Sequence, residues 1–175
     1  MSNVQVTTQN YDPVAWSFFA WQGVAAAIVF SNMGAAYGTA KSGIGIGSMA
    51  VTRPSLVYKS LIPIIMAGIL GIYGLIVAVI LQGKILSANG ILDQACCWGT
   101  YSGLKAFAAG LCCGLSSVAS GYAIGVAGDA GVRAFAQNAQ VFVGMILILI
   151  FAEAIGLYGL IVAIILSNIT VQQGA

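Results

Sequence analysis

The sequence predicts an all-α integral membrane protein of four transmembrane helices, built as two tandem hairpins. Three observations carry this. The 175 residues are 60% hydrophobic and 6% charged, with a mean hydropathy of +1.00. Water-soluble domains are about a quarter charged, so this chain has too few charges to cover a surface in water. Four apolar stretches each reach the roughly 20 residues that cross a bilayer. The two halves repeat: "GIYGLIVAVIL" at Gly71–Leu81 returns 85 residues later as "GLYGLIVAIIL" at Gly156–Leu166.

The expected spans are Val14–Gly38, Leu56–Gln82, Trp98–Gly125 and Gln140–Ser167. The start, "MSNVQVTTQNYDP", has no basic n-region, so the first span is not expected to be a cleaved signal peptide. The joints "KSGIGIG…TRPS", "GKILSANGILDQ" and "GDAGVRAFAQN" are polar or carry helix breakers. Pro54 suits the first turn of the second helix, where a missing N–H costs nothing. Pro63 lies inside the expected span and predicts a local kink. The same offset pairs Tyr37 with Tyr122 and Gly43 with Gly128. The repeat units are therefore a first hairpin over residues 14–82 and a second over 98–167, both entering the membrane from the same side.

Several chemistries are excluded or disfavoured. There is no histidine, so no His-based triad and no His-ligated zinc or haem. The cysteines Cys96, Cys97, Cys112 and Cys113 form adjacent pairs without metal or redox spacing, and read as small apolar fillers. "GIGIG" at Gly43, Gly45 and Gly47 lacks a preceding strand, the nucleotide-loop spacing and a Walker lysine. A net charge of +2 without a basic run does not suit nucleic acid. No cofactor and no metal are expected.

Basic residues set the topology. Lys41, Arg53, Lys59 and Arg133 flank the first and third connections; Lys84 and Lys105 lie toward the other side. The first and third connections are thus expected in the cytosol, with both termini across the membrane. Asp129 and Arg133 are four apart and can pair if the fourth helix starts early.

The first and third spans are rich in small residues. Gly34–Gly38, Gly99–Gly103, Gly110–Gly114 and Gly121–Gly125 are small-xxx-small pairs, which let helix backbones approach closely in lipid. The second and fourth spans are dense in Ile, Leu and Val, as lipid contact requires. The first and third helices are therefore expected inside and the others outside. Both a closed ring with a tight inner circle and a monomeric bundle accommodate these glycines.

Glu153 is the candidate functional residue. It interrupts "LILIFAEAIGLYGLIVAIIL", 13 residues from Gln140 and 14 from Ser167, near the bilayer centre. Its mate in the first repeat is Gly68, whereas a role the fold itself needs would more naturally occur in both halves. Keeping a carboxylate ionised at that depth costs several kcal/mol. Protonating a carboxyl group at neutral pH costs about 4 kcal/mol. The costs are comparable, so modest changes of surroundings switch the group between states, as a proton carrier requires. A structural hydrogen bond between helices is the alternative. Tyr73, five residues past Gly68, can bring its hydroxyl to the carboxyl level or pack with it elsewhere. No Lys or Arg of the chain sits at that depth, so a cation favouring the ionised form has to come from another polypeptide.

"GAAYGTAKSGIGI" (Gly34–Ile46), "RPSLVYKSLIPIIMAGILGIYGLIVAVIL" (Arg53–Leu81) and "GYAIGVAGDAGVRAFAQNAQVFVGMILILIFAEAIGLYGLIVAIIL" (Gly121–Leu166) closely resemble the proteolipid c subunits of eukaryotic vacuolar-type proton ATPases. The resemblance covers all four spans and leaves the first dozen residues, the second connection and the C-terminal tail aside. It implies a homo-oligomeric ring in lipid, shared with c-type paralogues. One proton rides on the carboxylate at Glu153, with Tyr73 at the position of a family tyrosine. The implied partners are a stator subunit a with a membrane arginine and central-stalk subunits at the cytosolic loops. The implied membrane is vacuolar or another acidic endomembrane, with lumenal termini. Such a chain is not an enzyme by itself. Four spans argue against the c″ paralogue and leave c and c′ open. Rival readings are a small proton-coupled multidrug-type antiporter, which needs an aromatic pocket and a dimer, and a structural channel-like ring, which leaves Glu153 without a purpose.

Overall fold

The computed structural model describes residues 13–90 and 100–168. Cys96, Cys97, Trp98 and Gly99 lie outside the described residues. The chain forms α1 (Pro13–Thr52), a 3-10 turn at Pro54–Leu56, α2 (Val57–Ser60) and α3 (Ile62–Gly90). There follow α4 (Thr100–Gln137), a second 3-10 turn at Ala139–Val141 and α5 (Phe142–Asn168). Four helical stretches are long and apolar enough to cross a membrane: Ala15–Thr52, Pro54–Leu86, Tyr101–Gln137 and Ala139–Asn168.

The first and third helices run further than expected, past Gly38 to Thr52 and past Gly125 to Gln137. With 40 and 38 residues they extend about 60 Å and 57 Å, well beyond a hydrocarbon core of about 30 Å. The glycine-rich joints are helix because tertiary contacts offset the roughly 1 kcal/mol that each glycine costs relative to alanine. Gly45 lies against Asp129, Gly128 against Ser42 and Pro63, and Gly131 against Met145. No glycine among the described residues has a positive φ. Their use is close approach, not turning.

The long helices stop at repeat-equivalent places by different chemistry. Arg53 (φ −142°, ψ 82°) precedes Pro54, whose ring pushes the preceding residue out of the helical region. Asn138, 85 residues later, is extended, and its side chain accepts the Gln140 N–H at 3.0 Å. Pro63 does not kink a continuous helix as expected. The helix breaks before it, between Ser60 and Ile62, and Pro63 becomes the second residue of α3. Proline cannot donate to the carbonyl four residues back, and its ring crowds that carbonyl. After this break α3 runs beyond the expected Gln82 to Gly90.

α1 and α4 pack backbone on backbone; α3 lies against both, and α5 lies against α4 and α3. A Cβ added to Gly110 would stand 2.7 Å from the carbonyl carbon of Gly23. Gly103 meets Trp16, Gly114 meets Ala26 and Phe30, Gly121 meets Gly34, and Gly125 meets Gly38 and Lys41. Tyr37 and Tyr122 stack at 5.3 Å on an exposed flank of the pair. Two buried clusters fill the bundle: one includes Trp16, Val77, Leu81 and Cys113, the other Met49, Leu70, Ile124 and Leu149.

Asp129 and Arg133 do pair, Nε to Oδ1 at 2.8 Å, but within the long α4 and not on an early start of the last helix. Lys41 of α1 stands 4.0 Å from the other Asp129 oxygen, so the acid also links α1 to α4. Such part-exposed pairs stabilise by under about 1 kcal/mol.

Candidate functional site

Glu153 stands eleven residues after Phe142 and fifteen before Asn168 on α5, about 16 Å and 22 Å along the axis. Its own side chain is half-buried. Around it on α5, Ile150, Phe151, Ile155 and Leu157 are exposed, so the flank beside the carboxyl is apolar and suited to lipid.

α3 supplies the carboxyl's partner. The Tyr73 hydroxyl donates to Oε1 of Glu153 at 3.1 Å. The tyrosine ring packs against both buried clusters, so it stands at their junction, midway along the bundle. This geometry follows from helix sterics: a side chain leans back toward its helix N-terminus, which brings Tyr73 level with a carboxyl opposite Gly68. Gly68 itself has no atom within 4 Å of where a Cβ would stand.

α4 supplies a contact that residue types alone did not reveal. The buried Ser120 hydroxyl donates to the carbonyl of Ala152, the residue before Glu153, at 2.7 Å. A signal for it was present in the repeat, because the mate of Ser120 is Ala35.

Charge is kept to the two ends of the bundle. Lys41 and Arg133 are tied to Asp129, and Arg53 and Lys59 flank the Pro54 turn. At the other end Lys84 donates to the carbonyl of Ser167 and, at 2.7 Å, to Oδ1 of Asn168, capping the last turn of α5. Lys105 lies near Lys84. No Lys or Arg among the described residues forms an ion pair with Glu153. The site is therefore a carboxyl group at mid-depth, beside a lipid-suited flank, held by one neutral hydroxyl. It can carry a proton, and it contains no cation to displace one.

The five glycines Gly103, Gly110, Gly114, Gly121 and Gly125 all face α1 of the same chain.

The sequence matches the ATP synthase C-subunit family twice, over residues 22–81 and 107–166, again at an offset of 85. It is 58% identical over 151 residues to a V-type proton ATPase 16 kDa proteolipid, the second c-type form of Caenorhabditis elegans, covering 86% of this chain and 90% of that one. It is 56% identical over 159 residues to the c-type V-type proton ATPase 16 kDa proteolipid of Nephrops norvegicus, covering 91% and 96%. With the c-type V-type proton ATPase 16 kDa proteolipid of Ovis aries the identity is 58% over 152 residues, covering 87% and 92%.

Proposed function

Since the chain belongs to the ATP synthase C-subunit family, and its relatives are V-type proteolipid subunits, we propose that it is the proton-carrying ring subunit of a vacuolar-type rotary ATPase. The observation that carries this is the Glu153 carboxyl at mid-membrane depth, hydrogen-bonded by a neutral tyrosine hydroxyl. Protonated, it crosses lipid as a neutral acid. Ionised, it needs a cation, and a stator subunit a with a membrane arginine supplies one. Protons enter from the cytosol, bind Glu153 and leave to the lumen of an acidic organelle. The chain alone is not an enzyme; ATP is hydrolysed in a separate soluble sector. The cytosolic connections flanked by Lys41, Arg53, Lys59 and Arg133 face the central stalk.

The ring reading draws support from the face of α1 opposite α4. Ala25, Ala36, Ala40 and Gly47 are exposed there at helical spacing, and Gly43 and Gly47 have nothing within 4 Å of an added Cβ. That face suits the close approach of another helix. The antiporter reading is left without support: the relatives are ATPase subunits, and Glu153 has one aromatic partner instead of an aromatic pocket.

Two experiments test these readings. The detergent-solubilised assembly should have the mass of many 17.9 kDa chains; a dimer would favour the antiporter. For topology, a cysteine placed at the exposed Ser48, after removal of Cys96, Cys97, Cys112 and Cys113, should react with an impermeant thiol reagent from the cytosolic side of sealed vesicles. Reaction from the lumenal side alone would reverse the orientation and move the termini to the cytosol.

A further inference from the structure

The bond from Ser120 to Ala152 differs from those of its neighbours. Ser116 and Ser117 turn their hydroxyls back to the carbonyl of Cys113 in their own helix, at 2.9 and 2.8 Å. Ser120 reaches across to α5 at 2.7 Å, in a fully buried position. Within α5 the Ala152 carbonyl already faces the N–H of Gly156, so the serine is a second donor to it. Gly156 lets both neighbours close in: a Cβ there would stand 2.7 Å from Cδ2 of Leu70 and 3.3 Å from both Cβ and Oγ of Ser120. A hydroxyl tied to this carbonyl fixes both the height and the rotation of α5 next to the carboxyl.

The duplication supplies an independent argument. At the 85-residue offset, Ser120, Ala152 and Glu153 correspond to Ala35, Ala67 and Gly68. The half without the carboxyl also lacks the hydroxyl. A contact needed only to pack the hairpins would more naturally occur in both. Among the described residues Tyr73 of α3 is the one ionisable side chain bonded to Glu153, and α4 contributes Ser120 at this level. Asp129 lies nine residues further along α4, and Lys84 is held at the end of α5.

We propose that Ser120 is a positioning residue for the proton carrier, holding the rotation of α5 at which the Glu153 carboxyl meets the Tyr73 hydroxyl. This rests on Glu153 being the group that carries the proton. The ring turns against a stator, so each carboxyl has to arrive at the same height and angle.

The test uses complete rings in which every copy is mutant, and reads the infrared carbonyl band of protonated Glu153, identified by its absence in Glu153→Gln. Loss of a hydrogen bond to the carbonyl raises that frequency. Tyr73→Phe should raise it directly. Ser120→Ala should shift it the same way and slow proton pumping about fivefold, the size of one net hydrogen bond. Ser120→Thr, which keeps a hydroxyl, should return the band toward its original place. In the Tyr73→Phe background, Ser120→Ala should add no further shift, because the two act through one contact. An unmoved band in Ser120→Ala rings would overturn the proposal, and so would an undiminished shift in the Tyr73→Phe background. If Ser120→Ala rings do not form, Ser120→Cys, which keeps the shape but weakens the donor, takes its place, and an unmoved band there overturns the proposal equally. Pumping by Glu153→Gln rings would instead remove the underlying assignment, whatever Ser120 does.

Discussion

Glu153→Gln should leave rings assembled at normal levels and proton pumping absent. Glutamine matches the size and neutral polarity of the protonated acid, and it can still accept the Tyr73 hydroxyl that stands 3.1 Å from Oε1. The helix contacts around it are unchanged, so folding stability should move by less than about 1 kcal/mol. What is lost is the proton. An amide has no acidic proton to release, so transport stops, and with it the ATP hydrolysis coupled to transport. Glu153→Asp tests the geometry separately. Shortening the side chain by one methylene draws the carboxyl away from Tyr73 and from any cation on another chain. Reduced pumping with intact rings is the expected result. A hydrophobic carbodiimide should modify the original protein at Glu153 and leave Glu153→Gln untouched there. The decisive measurement is acidification of vesicles by complexes that contain only mutant copies. Pumping by Glu153→Gln at near-original rates would place the proton elsewhere.

The carboxyl was legible in the sequence because an ionisable group within a 20-residue apolar stretch is costly wherever it points. The number of spans was legible for a similar reason: bilayer thickness fixes the length of an apolar helix. The helix ends were not. "KSGIGIG" and "GDAGVRAFAQN" carry strong local breakers, and local propensity predicts loops. Gly45, Gly128 and Gly131 are instead contact points with Asp129, Ser42, Pro63 and Met145, and those contacts outweigh propensity. The breaks at Arg53 and Asn138 were visible as one proline and one asparagine. Their equivalence appears only once the 85-residue offset is applied to the connections as well as to the spans. Ser120 escaped because a serine in a membrane helix most often bonds its own backbone, as Ser116 and Ser117 do. The glycine pairs showed that two helices approach closely, but spacing cannot say whether the second helix belongs to the same chain. The structure assigns the Gly103–Gly125 face to α1 of the same chain.

That assignment makes Gly121→Leu the second substitution with a severe expected effect, and it acts before any ring can form. A Cβ on Gly121 would overlap the carbonyl oxygen of Gly34 and stand 2.5 Å from its carbonyl carbon and 2.8 Å from its Cα. All three are backbone atoms, so no rotamer change relieves the contact; α1 and α4 have to separate. Overpacking a core typically costs about 1–3 kcal/mol where side chains can yield. Here the separation also loosens the neighbouring contacts at Gly110 and Gly23 and at Gly125 and Gly38, so the cost should exceed about 3 kcal/mol. The chain should accumulate poorly, be cut readily by protease in detergent and yield no rings. Gly121→Ala should give an intermediate defect, since even one methyl group meets the Gly34 backbone. Gly43→Ala is the contrasting substitution. Its added Cβ meets nothing within 4 Å in the chain, so the isolated subunit should keep its protease resistance. A ring defect in Gly43→Ala without a folding defect would place the neighbouring copy against that face of α1. Normal rings from Gly121→Leu would mean that α1 and α4 do not touch backbone to backbone, and the bundle would have to be held together by some other contact at its centre.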